Sequence, residues 1–139
     1  MSQKNFRAAA VTALVALGLG LGAASPAQAA AYEVNYTEPR AYSSHWKDCA
    51  SVDRYEACVQ PYGDLIWIKD GLKDGESPFV TWTDLDGDRS GMCVNRQGVD
   101  AGWTACNKNF PEGHEIRWTF VWRNYDGTWE SSAYQYTTV

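Results

Sequence analysis

The feature that most constrains the fold is a strict two-residue alternation near the C-terminal end of the sequence. Between residues 116 and 123, large apolar side chains alternate with polar or smaller ones. The first set is Ile116, Trp118, Phe120 and Trp122, and the second is Arg117, Thr119, Val121 and Arg123. Because successive side chains of a strand point to opposite faces, the pattern predicts a half-buried antiparallel strand. We expect the first set to lie in the core.

A tight turn and a return strand are predicted directly after this strand. Asp126-Gly127 supplies the positive backbone angles that a hairpin turn needs. The return strand is expected over residues 129–136, where the large residues change phase after Trp129. A bulge at Ser131-Ser132 would put the large residues on one face, because one extra residue resets the alternation.

The first 29 residues have the organisation of a secretory signal peptide. Lys4 and Arg7 precede an apolar run over residues 8–24, and Ala27-Gln28-Ala29 offers small residues at the cleavage positions. A membrane anchor is the alternative, but the run is short for a spanning helix. We therefore expect cleavage after this tripeptide and export of the remaining chain.

The exported chain is acidic and rich in aromatic residues. Without Lys4 and Arg7, ten basic residues stand against 17 acids, which gives a net charge near −7. An acidic surface disfavours nucleic acid and anionic lipid, since both are polyanions, so neither nucleic acid nor a membrane is expected as a partner. Eighteen of the 19 aromatic residues lie in this part, and some are expected at exposed contact surfaces.

Four cysteines remain, and an even count in an exported chain predicts two disulfides. Three pairings are open, of which we favour Cys49–Cys58 and Cys93–Cys106, because short loops close most easily. A zinc site is the alternative, but neither pair has the short ligand spacing of structural zinc sites. We expect a disulfide-braced β-domain over residues 49–139, preceded by an extended segment and loop over residues 30–48.

The rest of the exported chain consists of short segments with strand character between turn signals. Residues 31–36 alternate, residues 64–69 are apolar on both faces, and residues 79–83 are β-branched or aromatic. Residues 41–53 show no period, so a loop or a helical turn is expected there. About seven or eight short strands predict a single all-β domain, an antiparallel sandwich or a small barrel.

Two tryptophans are candidates for a binding site. Trp103 lies in the loop that the predicted Cys93–Cys106 bridge closes, and Trp129 directly follows the terminal turn. A tryptophan in such a place can stack on a sugar or anchor a protein partner, and it can equally plug one end of the sandwich.

The start of the exported chain is a further candidate for binding. Tyr32, Val34 and Tyr36 alternate with polar residues before the first cysteine. The segment is either an edge strand of the same sheet or a strand that adds to a partner, because an extended segment with free backbone groups suits strand addition.

Three alternating acids, Asp84, Asp86 and Asp88, form a calcium candidate, because alternating oxygen ligands on a tight loop can wrap this ion. However, Gly87 stands at the fourth place instead of the sixth, and no acid closes the loop at the twelfth. Asp86-Gly87 is also an ordinary hairpin signal, so a plain turn is the favoured interpretation. No cofactor is expected.

The residue types of a secreted ribonuclease are present in His114, Glu115 and Arg117. On a strand, however, His114 and Glu115 face opposite sides, so the constellation would need His45 from a distant part of the chain. The sequence contains neither a G-x-S-x-G elbow nor an H-E-x-x-H motif. We therefore expect no catalytic residues and no enzyme.

The stretch CVNRQGVDAGWTACNKNFPEG from Cys93 to Gly113, with GDLIWIKDG and DGDRSG upstream, resembles small secreted two-disulfide β-proteins of actinomycete bacteria. The layout is similar to that of the small adaptor subunits of umbrella toxin particles. This resemblance implies an adaptor that links a lectin-bearing subunit to a large toxin chain and uses its N-terminal stretch as an insert. The α-amylase inhibitors of the same bacteria are also small two-disulfide β-proteins, but their exposed Trp-Arg-Tyr triplet is missing here, and Trp122-Arg123-Asn124 is the nearest approach to it.

From these features we expect a secreted, non-enzymatic protein–protein interaction module, an adaptor or an inhibitor. A rigid disulfide-braced scaffold lowers the ordering cost of binding. A carbohydrate-binding module that uses Trp103 or Trp129 is the alternative, and a secreted nuclease or other hydrolase is the third hypothesis.

Overall fold

The computed structural model describes residues 30–139, so the predicted signal peptide lies outside the described residues. These residues form eleven strands and one short 3-10 helix, Val99–Ala101. The strands are β1 (Glu33–Tyr36), β2 (Glu38–Pro39), β3 (Asp48–Val52), β4 (Tyr55–Gln60), β5 (Leu65–Lys69), β6 (Phe79–Asp84), β7 (Ser90–Val94), β8 (Trp103–Asn107), β9 (Glu115–Arg123), β10 (Trp129–Ser131) and β11 (Gln135–Thr138). No helix within residues 30–139 has the length and apolarity needed to cross a membrane.

The strands form two sheets. The six-stranded sheet has the order β1-β7-β6-β9-β10, and β11 also pairs with β9. The five-stranded sheet has the order β2-β8-β5-β4-β3. The predicted all-β class is confirmed, and the architecture is sandwich-like without closure into a barrel. All strand pairs are antiparallel except that of β1 with β7, which is parallel.

The core lies between the sheets, and β9 supplies its largest side chains. Along β9 buried and half-buried residues alternate, as the sequence pattern predicts. Trp118 and Phe120 are fully buried, and Trp122 is nearly so. Ile66 and Ile68 of β5 belong to the same cluster from the opposite sheet. Burial of such side chains contributes roughly 2 kcal/mol each relative to exposure, so the β9 alternation sets the register of the whole sheet.

The predicted return strand is split into two pieces that both pair with β9. β10 covers the end of β9 near Arg123, and β11 covers its beginning near Arg117. Between them the Ser132 backbone N–H donates to the carbonyl of Phe120, while the Ser132 hydroxyl accepts from the Phe120 N–H. The predicted change of phase therefore occurs at Ser132, as an interruption of the strand.

The expected loop or helical turn over residues 41–53 was wrong for its last part, which forms β3. This strand is at the edge of the five-stranded sheet and, within residues 30–139, pairs only with β4. Its residues alternate between half-buried and exposed, and only Ala50 and Val52 on the half-buried side are apolar, so the apolar alternation is too weak to be recognised. Together with the two-residue β2 and the split return strand, β3 raises the number of strands from about eight to eleven.

Both predicted disulfides are present. Cys49–Cys58 joins directly opposite residues of β3 and β4. Cys93–Cys106 joins β7 of one sheet to β8 of the other, and both of its cysteines are buried in the core. The second bridge therefore fixes the two layers of the sandwich to each other.

The residues before the first cysteine are integrated into both sheets. β1 extends the six-stranded sheet beyond β7, and β2 extends the five-stranded sheet beyond β8. β1 approaches β7 so closely that a Cβ atom at Gly91 would lie 2.2 Å from the carbonyl oxygen of Glu33. Glycine is therefore required at this position for β1 to pair.

Candidate interaction surface

The outer side of the six-stranded sheet carries two adjoining apolar rows. Strand register places Tyr36, Val94, Phe79 and Val121 opposite one another from β1 to β9. A second row, one pleat further along, consists of Val34, Met92, Thr81 and Thr119. Opposed residues share a face in both parallel and antiparallel pairs, and the alternate residues of β6 and β9 are in the core. The two rows therefore point away from the core.

Trp129 extends the first row towards the opposite edge of the sheet. It lies opposite Arg123 on β10, and its ring centre is 5.9 Å from that of Phe79. Trp129 is 49% exposed, Tyr36 is 46% exposed and Val34 is 48% exposed. We call the surface formed by the two rows and Trp129 the aromatic face. Its exposed aromatic side chains lie at both edges of the sheet, with half-buried residues and the buried Val94 between them.

Two arginines flank the aromatic face, and both stack on tyrosine rings. The Arg96 guanidinium carbon lies 3.8 Å from the ring centre of Tyr36. At the other side, the guanidinium of Arg117 lies 4.9 Å from the ring centre of Tyr134. Within residues 30–139 neither arginine forms a salt bridge with a carboxylate. A protein with an acidic net charge thus presents uncompensated positive charge beside this face.

Arg123 is held differently from the other two arginines. Its guanidinium pairs with Glu76, and its Nε donates to the carbonyl oxygen of Gly127 at 2.9 Å. The contact to Gly127 ties the β9–β10 turn to the strand. Arg123 therefore has a structural role, and Arg96 and Arg117 are the cations that remain open to a ligand.

Four of the five predicted binding residues lie on or next to the aromatic face. Val34, Tyr36 and Trp129 are part of it, and Tyr32 directly precedes β1 and is 54% exposed. Trp103 is separate, because it lies on the outer side of the five-stranded sheet in a cluster with Trp67. The sequence therefore indicated three members of this face, Val34, Tyr36 and Trp129, without indicating that they come together.

The outer side of the five-stranded sheet is covered by the chain itself. The Tyr42 ring stacks on Trp103 with 4.3 Å between ring centres, and it meets the buried Trp67 edge-on. Trp103 is consequently half-buried and has one ring face occupied. Trp103 packs against a small second core on the outer side of this sheet, which differs from the predicted plug at one end of the sandwich.

The inner side of β1 explains why this strand stays attached to the sheet. The Glu33 carboxylate accepts hydrogen bonds from Arg89 Nε at 2.8 Å and from Lys108 Nζ at 2.7 Å. Lys108 also donates to the side chain of Asn35. The hydrogen bond from Arg89 is the main cause that lowers the pKa of Glu33, whereas burial lowers the pKa of Lys108. β1 is thus an edge strand held by charge, which leaves Val34 and Tyr36 facing outwards.

Two of the three calcium candidates, Asp84 and Asp86, are engaged in structural hydrogen bonds. The Asp84 carboxylate accepts from His114 Nδ1 at 2.9 Å and from the Asp86 backbone N–H at 3.1 Å. Asp86 in turn accepts from the backbone N–H of Glu115 at 2.8 Å. These contacts connect the β6–β7 turn, which includes Asp88, to the start of β9.

No carboxylate cluster of ligating geometry is present at that turn. Among residues 30–139, the one trio of potential ligands with atoms within 4.8 Å of each other is Cys49, Glu56 and Cys58. The sulfur atoms of this trio are joined in a disulfide. The trio therefore offers no pair of thiolates to a metal ion.

The two histidines occupy different parts of the molecule. His114 precedes β9 in the six-stranded sheet and is paired with Asp84. His45 stacks on Tyr62, beside the five-stranded sheet, with 4.1 Å between ring centres. Each histidine therefore has its own local partner, and the hydrolase constellation suggested by the residue types is not assembled from the two of them.

Several residues of the aromatic face and its flanks were not recognised as binding candidates in the sequence. On the face they include Phe79, Met92, Val94 and Val121, and on its flanks they are Arg96, Arg117, Tyr134 and Tyr136. The outward half of the β9 alternation already contained Arg117, and Tyr136 lies directly opposite it on β11. The row formed with Phe79 and Met92 depends on the strand order, which local sequence does not contain.

Neither a protein-family model nor a curated protein nor a solved structure matches this chain. The function is therefore inferred from the chemistry of its surfaces.

Proposed function

We propose that the protein is a secreted, non-enzymatic protein–protein interaction module that binds a protein partner through the aromatic face. The observation that carries this proposal is the combination of exposed Tyr36 and Trp129 with the unpaired cations Arg96 and Arg117 on one side of a rigid sheet. Tyrosine, tryptophan and arginine are the residues that most often dominate the binding energy of protein interfaces.

The composition of the face favours a protein over a glycan. Between the aromatic edges lie aliphatic side chains, Met92 and two threonines, and the Thr119 hydroxyl is already bonded to the Ser132 carbonyl oxygen at 2.8 Å. A sugar site combines a stacking ring with polar groups that bond the hydroxyls, and these two rows offer few such groups. An apolar centre with a polar rim is the usual anatomy of a protein interface.

The scaffold supports binding because it presents the face in a fixed form. Cys93–Cys106 connects the sheets, and the charged contacts of Glu33 hold the β1 edge. A surface that is already ordered loses less conformational entropy on association. The resemblance to umbrella toxin adaptors adds a finer proposal, in which a lectin-bearing subunit and a large toxin chain are the partners. Export by the predicted signal peptide belongs to the same proposal.

The test is capture of partners from native culture supernatant with immobilised protein. We compare the wild type, the double variant Tyr36→Ala/Trp129→Ala and the matched control Trp46→Ala/Tyr62→Ala. The control removes one tryptophan and one tyrosine that are 69% and 70% exposed outside the aromatic face. A defined partner that the wild type and the control retain and the double variant loses supports the proposal.

Two outcomes would overturn it. The first is recovery of the protein from native supernatant only as a free monomer. The second is a glycan array with hits that depend on Trp129, combined with no retained protein, which would assign the face to carbohydrate.

A further inference from the structure

The sandwich is open along one side, where the six-stranded sheet extends further than the five-stranded sheet. The five-stranded sheet ends at β3, and β3 contacts β11 through the hydrogen bond from Thr137 to Asp48. The six-stranded sheet also includes β10 beyond β9. Every residue of β10 is exposed. The position in the five-stranded sheet that would cover the inner side of β10 is therefore not filled by any strand within residues 30–139.

The free edge of β3 offers backbone hydrogen-bonding groups to an incoming strand. Cys49 and Cys58 form a narrow cross-strand pair with a Cα–Cα distance of 4.1 Å, which is typical of a pair without backbone hydrogen bonds. In an antiparallel ladder the N–H and C=O groups of such a residue point away from its neighbour. Cys49 and, two residues on, Ser51 therefore direct their backbone groups outwards. No backbone group outside β4 bonds to them within residues 30–139.

An apolar cavity of about 220 Å³ lies directly beside this edge. Ala50 and Val52 line it from β3, and Phe120 and Trp122 line it from β9. Its remaining wall is Ser51 and Ser132. An apolar cavity of about 150 Å³ in another protein holds a benzene-sized molecule, so this space is large enough for one branched aliphatic side chain.

Two acidic residues occupy inward positions on the strands next to the cavity, although neither lines it. Asp48 shares the inward side of β3 with Ala50, and Glu130 lies opposite Trp122 on the inner side of β10. Neither carboxylate forms a salt bridge within residues 30–139, and Asp48 accepts one hydrogen bond, from the Thr137 hydroxyl at 2.9 Å. A strand laid along β3 would place every second side chain on this inward side. An incoming strand would therefore match these acids if it carried a lysine or arginine two positions before or after its aliphatic residue.

We propose that the β3 edge is a second binding site, which takes an extended strand of a protein partner by antiparallel strand addition. The strand bonds to the backbone of Cys49 and Ser51, inserts one aliphatic side chain above Phe120 and Trp122, and pairs its flanking cations with Asp48 and Glu130. Strand addition of this kind gains affinity from main-chain bonds and specificity from pockets for alternate side chains. The site lies between the sheets and the aromatic face lies outside them, so both can be occupied together. A protein that bridges two partners needs two separate binding surfaces, such as the aromatic face and the β3 edge.

The probe is the blocked peptide acetyl-Thr-Lys-Thr-Leu-Thr-Lys-Thr-amide, titrated into the exported, oxidised protein and followed by NMR of the backbone amides. We expect saturable shifts centred on Cys49 and Ser51, with a Kd below about 1 mM. Replacing the central leucine by aspartate weakens binding about tenfold or more, because a charged side chain would then enter the apolar cavity. Replacing both lysines by glutamates has a similar effect, because the glutamates would face the like charges of Asp48 and Glu130.

Variants of the protein locate the site. Ser51→Pro removes a backbone N–H that is not bonded to β4. An edge strand accepts proline at such a position, so the fold is kept. Peptide binding weakens about tenfold, because one main-chain hydrogen bond to the peptide is lost. Glu130→Lys weakens binding about fivefold, whereas the matched control Glu112→Lys, at an exposed loop position, has no effect. Tyr36→Ala also leaves peptide binding unchanged, which separates this site from the aromatic face.

Three results would overturn the proposal. The first is the absence of shifts at β3 with any peptide of the set. The second is binding that Ser51→Pro and Glu130→Lys both leave unchanged. The third is a concentration-dependent dimer that Ser51→Pro abolishes, which would assign the edge to a second copy of the chain.

Discussion

The Glu33 carboxylate lies 2.7 Å from the ammonium group of Lys108, and this contact joins β1 to a part of the chain 75 residues away. The Lys108 side chain is only 1% exposed, whereas that of Glu33 is 31% exposed. The pair therefore brings a buried cation together with a half-buried anion at the edge of the sandwich. The position of Val34 and Tyr36 on the aromatic face depends on it.

Glu33→Gln is expected to destabilise the protein by about 2–3 kcal/mol. Removing one partner of a buried ion pair leaves the other charge uncompensated, and burial already disfavours the charged form of Lys108. Chemical denaturation measures the free energy of unfolding. Glu38→Gln is the matched control, because Glu38 is exposed on β2 and has no salt bridge within residues 30–139. Equal effects of the two substitutions would contradict the role of the pair.

The same pair predicts a loss of stability in acid. The pKa of Glu33 is lowered from its ordinary value of 4.5, first by the hydrogen bond from Arg89. A carboxyl group with a lowered pKa in the folded state contributes stability that is present above its ordinary pKa and is lost as the pH falls through the folded value. The difference in unfolding free energy between wild type and Glu33→Gln should therefore shrink below pH 4.5. A difference that stays constant in acid would show that Glu33 does not titrate in this way.

The local parts of the fold could be predicted because their determinants are local. The alternation around Trp118 and Phe120 follows from the requirement that one face of a strand be buried, and it holds whatever the neighbouring strands are. The pairing of Cys93 with Cys106 followed from loop length alone, and it is present. Both features could therefore be predicted without knowledge of the strand order.

The surface as a whole could not be predicted, because its two edges come from opposite ends of residues 30–139. Tyr36 and Trp129 are brought to one face by the strand order, and the parallel pairing of β1 with β7 depends on the contacts of Glu33 with Arg89 and Lys108. These contacts span 56 and 75 residues. β3 was missed for a related reason, since an edge strand needs little apolar alternation when its neighbour supplies most of the burial.

Tyr55 is expected to make the protein less stable in alkali. It is buried, its hydroxyl donates to the Arg123 carbonyl oxygen at 2.8 Å, and burial with the charges of Asp74 and Asp70 raises its pKa to about 12. The unfolded chain deprotonates near the ordinary value of 10.0, so this contribution is complete below that pH and is lost as the pH rises towards 12. Linkage gives a loss of roughly 1.4 kcal/mol by about pH 11.

The measurement for Tyr55 is denaturation at about pH 9 and about pH 11, because these values bracket the unfolded-state titration. Tyr55→Phe should remove most of the decrease in unfolding free energy between the two conditions. Tyr62→Phe is the control, since Tyr62 is 70% exposed and should keep the behaviour of the wild type. A decrease that persists in Tyr55→Phe would assign the alkaline effect to other groups.

Thr137→Val is expected to cost about 1–3 kcal/mol although it preserves the size of the side chain. The buried Thr137 hydroxyl accepts from the Trp118 indole N–H at 2.9 Å and donates to Asp48 at 2.9 Å, so it connects β9, β11 and β3. Valine leaves the indole donor buried without a partner. Thermal unfolding measures the effect, with the exposed neighbour Thr138→Val as the control. Similar unfolding temperatures for the two variants would mean that the two hydrogen bonds of Thr137 contribute no net stability.

Arg96→Gln/Arg117→Gln should weaken binding of the captured partner mainly by slowing association. Both cations flank the aromatic face and lack a carboxylate partner within residues 30–139, so they are free to attract acidic groups of an approaching protein. We expect an association rate about five- to tenfold lower at low ionic strength, with the difference largely removed at about 0.5 M salt, where screening is strong.

Surface plasmon resonance at several salt concentrations measures the association rate and the dissociation rate. Arg40→Gln is the matched control, because Arg40 is exposed beside the five-stranded sheet. If the double variant instead keeps the wild-type association rate and its salt dependence, the two arginines do not steer the partner, and the attraction must come from the apolar rows alone.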